Sequence, residues 1–471
     1  MEITKHGLSR SLRLRDLVPM QIVLIVWLGW TGFAAKQGPS QIVLWLLAIL
    51  LFYLPLAAVV MKLARAMPME GGVYQWVKKG ISPFAGYMAA WNFTLYAITA
   101  FAVVGSILAD GFGQAAGSAA DWMLKSRWFA FGLTALACAI AYYFNVHGLR
   151  FAKWWSNIGS LLTVATSVAM LFLLVKAIAA GAALAHGALS LAWPAFSIVT
   201  ISVFARMATG ALSGFDSAAV FAEECRKPEN DVARSVLVAA PLIALMYMLG
   251  TSTVLAYIPP AKVDVSAAVG QVMQAGFGAS LMGRTIALAA ASAFNIAYAA
   301  AMVITTGVTS RLPMVAGWDG LLPKWWSELH PKFRTPWKAV GVVAGSMLAL
   351  GGLSLLGADN QEAVQVGASV GIGSLCIMYM LLFAVMLFGF RGRAWRPGAA
   401  VRLGALAAFS VAFISLVFQI IPLGEVASRA LFALKVAATI AALNVLGGYL
   451  YWRGSRRAEE SAARVTADLM E

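Results

Sequence analysis

The stretch IVLIVWLGWTGFAAKQGPS, residues 22–40, has the composition of a membrane helix that is weakened part-way along. Its first half is apolar enough to cross a bilayer, whereas its second half contains Gly29, Thr31 and Gly32 between two tryptophans and a lysine. Glycine costs a helix about 1 kcal/mol relative to alanine. In membranes it serves either the close packing of helices or an interruption that lines a cavity. This stretch alone leaves both uses open.

The composition of the whole chain indicates a membrane protein. Hydrophobic residues make up 61% of the 471 residues, charged residues make up 12%, and the mean hydropathy is +0.80. Soluble domains carry roughly 25% charge. A helix needs roughly 20 residues to cross about 30 Å of hydrocarbon. We therefore predict an all-α polytopic membrane protein with twelve transmembrane helices, whose spans 1–12 cover residues 17–35, 41–61, 84–109, 128–146, 154–178, 196–222, 235–258, 284–310, 338–357, 363–390, 401–423 and 429–452.

The placement of basic residues predicts the topology. The chain carries 35 Lys and Arg residues and a net charge of +15. Most of them precede span 1, follow an even-numbered span or lie in the tail after span 12. Arg391, Arg393 and Arg396, for example, follow span 10. By the positive-inside rule this side is the cytoplasm, and both termini are expected there. Topology thus explains the excess of basic over acidic residues, and we expect no nucleic-acid partner.

The sequence carries no signal for catalysis, cofactors or metals. Cys138, Cys225 and Cys376 lie far apart without metal-ligand spacing, so we expect neither a disulfide nor a metal site. The basic start followed by an apolar run resembles a secretory signal, but further apolar runs follow, and we expect span 1 to be retained. No nucleophile–base motif or phosphate-binding glycine loop occurs. We therefore expect a protein that is not an enzyme and binds no cofactor.

Span 6 repeats the feature found in span 1. It reads FARMATGALSGFDSAAVFAEE over residues 204–224, where small and polar residues interrupt the apolar run. The two interruptions lie five spans apart along the chain. Matched glycine-interrupted segments in the two halves of a chain indicate an inverted-repeat transporter whose binding site lies at the breaks. Close packing of helices remains the alternative.

Three loops resemble those of a known family. Span 2 is followed by AMPMEGGVYQWVKKGISPFAGYMAAWN (66–92), span 6 by AEECRKPENDVARSV (222–236) and span 8 by SRLPMVAGWDGLLPKWWSELHPKFRTPWKAV (310–340). These resemble P-x-GG-x-Y, GF(D/E)…AEE…P and SR…DG-x-LP…P…TP in the amino acid permeases of the amino acid, polyamine and organocation (APC) superfamily. The matches keep their order and spacing. With the twelve spans, the resemblance covers about residues 10–450.

The resemblance implies a LeuT-like fold of 5+5 inverted repeats with discontinuous helices 1 and 6. A cytoplasmic segment (1–16) would precede a single transmembrane domain (17–452), made of repeat 1 (17–178), repeat 2 (196–390) and extra helices 11 and 12 (401–452), and a cytoplasmic tail (453–471) would follow. The resemblance further implies a secondary transporter of an amino acid or related amine. This transporter would work by alternating access in a prokaryotic inner membrane, as a monomer or homodimer. A polyamine or organic-cation transporter, and a non-transporting sensor or channel, remain alternatives.

The resemblance also implies where the substrate binds. In such permeases, backbone groups at the breaks of helices 1 and 6 hold the carboxylate and ammonium groups of the substrate. Free N–H groups at half-helix N-termini suit a carboxylate, and free carbonyls suit an ammonium. The corresponding substrate-binding residues here are Trp30, Thr31, Gly32, Phe33, Ala208, Thr209, Gly210, Ala211, Leu212 and Ser213.

Two positions depart from the family pattern. Trp30 stands where a glycine is usual, and its indole either stacks on a substrate side chain or turns toward neighbouring helices. Thr163 stands where many members have a lysine within span 5, so coupling through a lysine is not expected. The coupling ion is then a proton or sodium, or transport is a simple exchange. Sodium would use the oxygen atoms of Thr163, Ser167, Ser292 and Asn295.

Charged and aromatic residues within or near the spans are candidates for gating and coupling. Arg206 either faces an outer vestibule or extends to the lipid headgroups. Asp216 either takes up a coupling proton or favours the dipole of a half-helix. Tyr96 either lines the pathway or packs between helices. For Glu223 and Glu224 we expect solvated charges rather than a gate pair.

Overall fold

The computed structural model describes residues 6, 8, 10–116, 122–123, 126–181, 186–265, 267–278, 280–353, 360–389, 397–422, 426 and 428–468. Regular secondary structure in these residues is helical, with one isolated parallel bridge between Leu12 and Cys225. The basic residues predicted after span 10, Arg391, Arg393 and Arg396, lie outside the described residues, as do parts of the segment 1–16 and the last three residues of the tail 453–471.

The helices follow the predicted spans closely. The first half contains α1 (Leu14–Ile25), α2 (Trp30–Ala35), α3 (Gln41–Ala48), α4 (Leu54–Ala66), α5 (Val73–Gly80), α6 (Pro83–Ala102), α7 (Val104–Ala116), α8 (Arg127–Val146) and α9 (Leu149–Ala179). The second half contains α10 (Ile198–Arg206), α11 (Phe215–Val220), α12 (Pro228–Tyr257), α13 (Ala268–Phe277), α14 (Leu281–Trp318), α15 (Trp337–Leu353), α16 (Asn360–Phe388), α17 (Ala399–Phe418) and α18 (Arg429–Asp468).

The lengths and composition of these helices suit a bilayer. In the described part of the chain, ten helical segments are long and apolar enough to cross a membrane. In addition, α15 is a shorter apolar helix, and α1 and α2 together cover span 1. The prediction of an all-helical polytopic membrane protein is confirmed.

Span 1 is interrupted where the sequence predicts a weak helix. The chain is non-helical from Val26 to Gly29, between α1 and α2. Tyr247 of α12 holds this break: its hydroxyl accepts the Trp27 amide at 3.0 Å and donates to the Ile25 carbonyl at 2.6 Å. One buried side chain thus satisfies two backbone groups that the interrupted helix leaves without helical partners.

Span 6 is interrupted in a different way. After α10 the chain makes a π-helical turn over Met207–Ala211, leaves the helical conformation, and resumes as α11 at Phe215. Gly214 has a φ of +123°, which favours glycine. Its amide donates to the Tyr379 hydroxyl of α16 at 2.9 Å. A tyrosine from another helix therefore anchors each of the two breaks.

Several predicted spans have other limits in the structure: α12 begins at Pro228, before span 7, and α14 runs to Trp318, beyond span 8. Span 3 is interrupted at Val103 because α8 approaches closely: the Gly105 amide donates to Thr134 Oγ1 at 3.1 Å, and a Cβ atom on Gly105 would overlap the Ala130 carbonyl. The last span does not stop at residue 452, since α18 continues to Asp468. Its extension packs on the loop after α14, where a Cβ atom on Gly454 would overlap the backbone of Leu321.

One end of the molecule carries the N-terminal segment and is called the inner end below. The Ser11 and Leu12 amides donate to the Glu224 carbonyl at 2.9 and 3.0 Å, and the Arg226 amide donates to the Leu12 carbonyl at 3.0 Å. The N-terminal segment is thus fastened to the chain that follows α11.

Candidate substrate site at the helix breaks

The two helix breaks meet through Trp30 and Gly210. A Cβ atom on Gly210 would lie 2.5 Å from Cζ2 and 2.8 Å from Cη2 of Trp30. The indole therefore rests on the backbone of the π-helical turn, where only glycine leaves room for it. The ring also packs against Trp27 and Phe33, with centroid distances of 5.9 and 5.2 Å. Trp30 thus connects the two breaks.

The break of span 1 leaves backbone donors without partners. The amides of Leu28 and Gly29 donate no hydrogen bond to any residue that the structure describes. The Trp27 indole Nε1 is buried and likewise has no hydrogen-bond partner within the described ranges. Unpaired donors beside an interrupted helix are suited to bind an anionic group such as a carboxylate, whose oxygen atoms would accept their hydrogen bonds.

Several other predicted substrate residues lie at the breaks. The Ser213 hydroxyl donates to the Gly210 carbonyl at 3.5 Å. The Thr31 hydroxyl donates to the Leu28 carbonyl at 2.6 Å, which occupies its proton within the break. The remaining side chains at the span 6 break, those of Ala208, Ala211 and Leu212, are fully buried.

Gly32 and Thr209 contact neighbouring helices. A Cβ atom on Gly32 would lie 2.8 Å from the Ala268 Cβ and 3.0 Å from the Val265 carbonyl oxygen, so α2 packs tightly against the start of α13. The Thr209 hydroxyl donates to the Ala205 carbonyl at 2.9 Å and lies 2.7 Å from Ser415 Oγ of α17. The structure places these two residues in helix contacts.

Asp216 is a fully buried carboxylate at the start of α11. Tyr379 donates to Asp216 Oδ1 at 2.8 Å, and the same hydroxyl accepts the Gly214 amide. Oδ2 has no hydrogen-bond partner among the described residues. Tyr96 of α6 lies within electrostatic range of this carboxylate. A carboxylate with one unpaired oxygen can accept an ammonium group or a proton.

Arg206 is buried against the end of α17. Its side chain is 4% exposed, and Nη2 donates to the carbonyls of Phe418 at 3.0 Å and Ile421 at 2.5 Å. The last carbonyls of a helix lack intrahelical partners and favour a positive charge. Arg206 therefore caps the C-terminal end of α17.

The predicted sodium ligands divide into two kinds. The hydroxyls of Thr163 and Ser167 donate to carbonyls four residues earlier in α9, both at 2.9 Å. Ser292 is partly buried on α14, and Asn295 on the same helix is 1% exposed. Neither polar atom of the Asn295 side chain has a partner within the described residues. The two hydroxyls of α9 thus make the intrahelical bonds that are common in membrane helices.

The expectation of a solvated charge is wrong for Glu224, and Glu223 is only partly exposed. Glu224 is 2% exposed and forms an ion pair with Arg311 of α14. Glu223 pairs with His6 Nδ1 at 2.9 Å. The N-terminal segment covers this part of the chain and buries Glu224, whereas the Glu223 side chain remains 17% exposed beside His6.

Tyr247 and Tyr379 carry no local sequence signal for their role at the breaks. Each lies within an apolar helix, where a tyrosine cannot be distinguished from an aromatic residue that only packs. Their role depends on a contact with a break that is more than 150 residues away in the chain. No local pattern carries that information.

Comparison with known proteins decides the family. The model of the family described as amino acid permease matches residues 20–443. The chain belongs to the amino acid permease family. The resemblance to permeases of the APC superfamily is thereby confirmed.

This permease is similar to bacterial transporters of two kinds. The low-affinity putrescine importer PlaP of Escherichia coli (strain K12) is 25% identical over 322 residues, which cover 67% of this chain and 66% of the relative. The branched-chain amino acid permease BcaP of Bacillus subtilis (strain 168) is 26% identical over 403 residues, which cover 81% of this chain and 82% of the relative. The family and these likenesses support membrane transport of a small molecule.

Proposed function

We propose that this permease is a secondary active transporter that moves an amino acid or a related amine by alternating access. The substrate would lie between the breaks of spans 1 and 6. The contact between Trp30 and Gly210 carries the proposal, because it brings two interrupted helices together beside the unpaired amides of Leu28 and Gly29. Such breaks supply polar groups at membrane depth without exposing backbone to lipid.

We further propose twelve crossings arranged as a 5+5 inverted repeat. The ten long apolar segments, the shorter α15 and the α1–α2 pair would supply them. Helices α1–α9 would form the first repeat and α10–α16 the second, with α17 and α18 outside. The positive-inside rule then assigns both termini to the cytoplasm, which for a prokaryote means insertion in the inner membrane. One chain would hold a whole pathway and would work as a monomer or a homodimer.

A cationic amine is the second candidate substrate, favoured by Asp216. Its unpaired Oδ2 lies beside the span 6 break, where a substrate ammonium could replace the missing partner. The same oxygen makes Asp216 the proposed site of a coupling proton. Sodium is less favoured, because the Thr163 and Ser167 hydroxyls already donate within α9.

Uptake into proteoliposomes tests both candidates. Radiolabelled leucine, lysine, putrescine and agmatine would be offered to vesicles holding wild-type protein or Asp216→Asn. We expect saturable uptake of at least one compound. If the substrate is cationic, Asp216→Asn lowers its uptake at least tenfold, since the counter-charge is removed. Binding of a compound without uptake of any would contradict the transporter proposal and favour a sensor.

A further inference from the structure

The inner end contains a buried ion cluster that the transport proposal does not use. It consists of Glu70, in the turn between α4 and α5, Glu224, after α11, and Arg311, in α14. Each of the three side chains is 2% exposed. Two carboxylates therefore share one guanidinium in a space without bulk water.

The guanidinium is not shared equally. Arg311 Nε donates to Glu224 Oε1, and Nη1 donates to the Gly307 carbonyl at 2.8 Å. Glu70 Oε1 lies 3.6 Å from the same Nε and has no hydrogen-bond partner among the described residues. Its Oε2 accepts one backbone amide, that of Glu223, at 3.0 Å. An ionised Glu70 would thus be a buried charge without its own counter-charge.

A carboxylate in this position is costly, because an unpaired buried charge loses its hydration without compensation. Burial raises the pKa of Glu70 well above its ordinary value, and the negative charge of Glu224 adds to the rise. The charge of Arg311 and the Glu223 amide oppose it without cancelling it. The closed arrangement therefore shifts the equilibrium of Glu70 toward the neutral carboxyl.

The groups that face Glu70 come from two elements. The turn after α11 presents Glu223, Glu224 and Cys225, and α14 presents Arg311. Behind Glu223 lies His6 of the N-terminal segment, at 2.9 Å. Histidine is the side-chain type whose charge most often changes near neutral pH, so a test has to separate His6 from Glu70.

The N-terminal segment seals this cluster through the hydrogen bonds of Ser11 and Leu12 to the Glu224 carbonyl. His6 also stacks on Trp318 at the end of α14, with a centroid distance of 4.2 Å. If the inner end opens, these contacts break and water reaches the cluster. A hydrated Glu70 carboxyl then ionises at neutral pH.

We propose that Glu70 is a proton-binding site that locks the inner end, holding a proton while that end is closed and releasing it when that end opens to water. The closed form then binds one more proton than the open form. Acid therefore favours closure, and closure weakens as pH rises from the ordinary carboxyl pKa toward the raised one. The proton enters and leaves at the same end, so this site regulates opening and does not couple transport.

The native Cys225 reports opening, because it is 0% exposed beside Glu224. The background protein carries Cys138→Ala and Cys376→Ala. The rate at which a maleimide labels Cys225 in this protein would be measured in detergent from pH 6 to pH 8.5. Each rate would be divided by the rate at which the same maleimide labels glutathione at that pH. We expect the normalised rate to rise with pH, by up to tenfold per unit, because one proton is released on opening.

Two variants identify the titrating group. Glu70→Gln mimics the neutral carboxyl, and we expect slow labelling that does not change with pH. His6→Gln is the matched control and should keep the rise. A flat profile in the background protein, a rise that persists in Glu70→Gln, or a rise lost in His6→Gln would overturn the proposal. The first and third results do not depend on whether Glu70→Gln folds, and none depends on substrate or transport.

Discussion

Gly32 shows at the scale of one residue how the break of span 1 depends on packing. Replacing it with alanine places a Cβ atom 2.8 Å from the Ala268 Cβ and 3.0 Å from a backbone oxygen. We expect Gly32→Ala to destabilise the protein by about 1–3 kcal/mol, the usual cost of overpacking. The measurement is the apparent unfolding temperature in detergent.

A matched control lies on the neighbouring helix. A Cβ atom on Gly270 of α13 would meet no described atom within 4 Å, so Gly270→Ala should leave stability unchanged or raise it slightly. Equal unfolding temperatures for Gly32→Ala and Gly270→Ala would contradict the packing role of Gly32.

The position of Trp30 could not be predicted from the sequence, which left two orientations open. A tryptophan at a position where glycine is usual adds a large ring. The direction of that ring depends on where the facing helix leaves space for it. Gly210, in the other half of the chain, supplies that space. The sequence marks both residues as unusual but does not pair them.

At the scale of the helical element, Tyr247 holds the break of span 1 through two hydrogen bonds. Tyr247→Phe removes both bonds and leaves the Trp27 amide and the Ile25 carbonyl only their bond to each other at 3.0 Å, at a cost of about 0.5–1.5 kcal/mol for each lost bond. We expect faster amide hydrogen exchange over residues 25–30. Tyr257→Phe in the same helix removes a hydroxyl that bonds the Leu173 carbonyl, and exchange at residues 25–30 should not change in this control.

The existence of the spans was predictable, and the residues of each break were predictable only approximately. Hydropathy and length determine where a helix can cross a bilayer. The glycine clusters predicted both interruptions, but the non-helical residues are Val26–Gly29 and Leu212–Gly214. This placement depends on Tyr247 and Tyr379, whose hydroxyls arrive from distant helices. Local sequence contains no record of those contacts.

At the scale of the whole molecule, ion pairs join distant segments at the inner end. Lys78 pairs with Asp319 at 2.6 Å, and Lys153 pairs with Asp16 at 3.2 Å. The distribution of basic residues predicted that these lysines lie on one side of the membrane, because membrane insertion retains Lys and Arg on the cytoplasmic side. It did not predict that Glu224 is buried, since burial requires the N-terminal segment to cross the chain after α11.

The most direct test of the central claim, that substrate binds between the two breaks, is ligand-dependent thermal stability of the purified protein. Amino acids, polyamines and small organic acids would be compared for wild type, Gly210→Ala and Gly345→Ala. Gly210→Ala pushes on Trp30, whereas Gly345 of α15 has open space around it among the described residues. A ligand that binds only the folded state stabilises it by about 2.7 kcal/mol at a hundredfold excess over its Kd.

We predict that an amino acid or amine stabilises wild type and Gly345→Ala, and that Gly210→Ala folds but loses this response. An undiminished response in Gly210→Ala, or no stabilisation of wild type by any compound tested, would contradict the account.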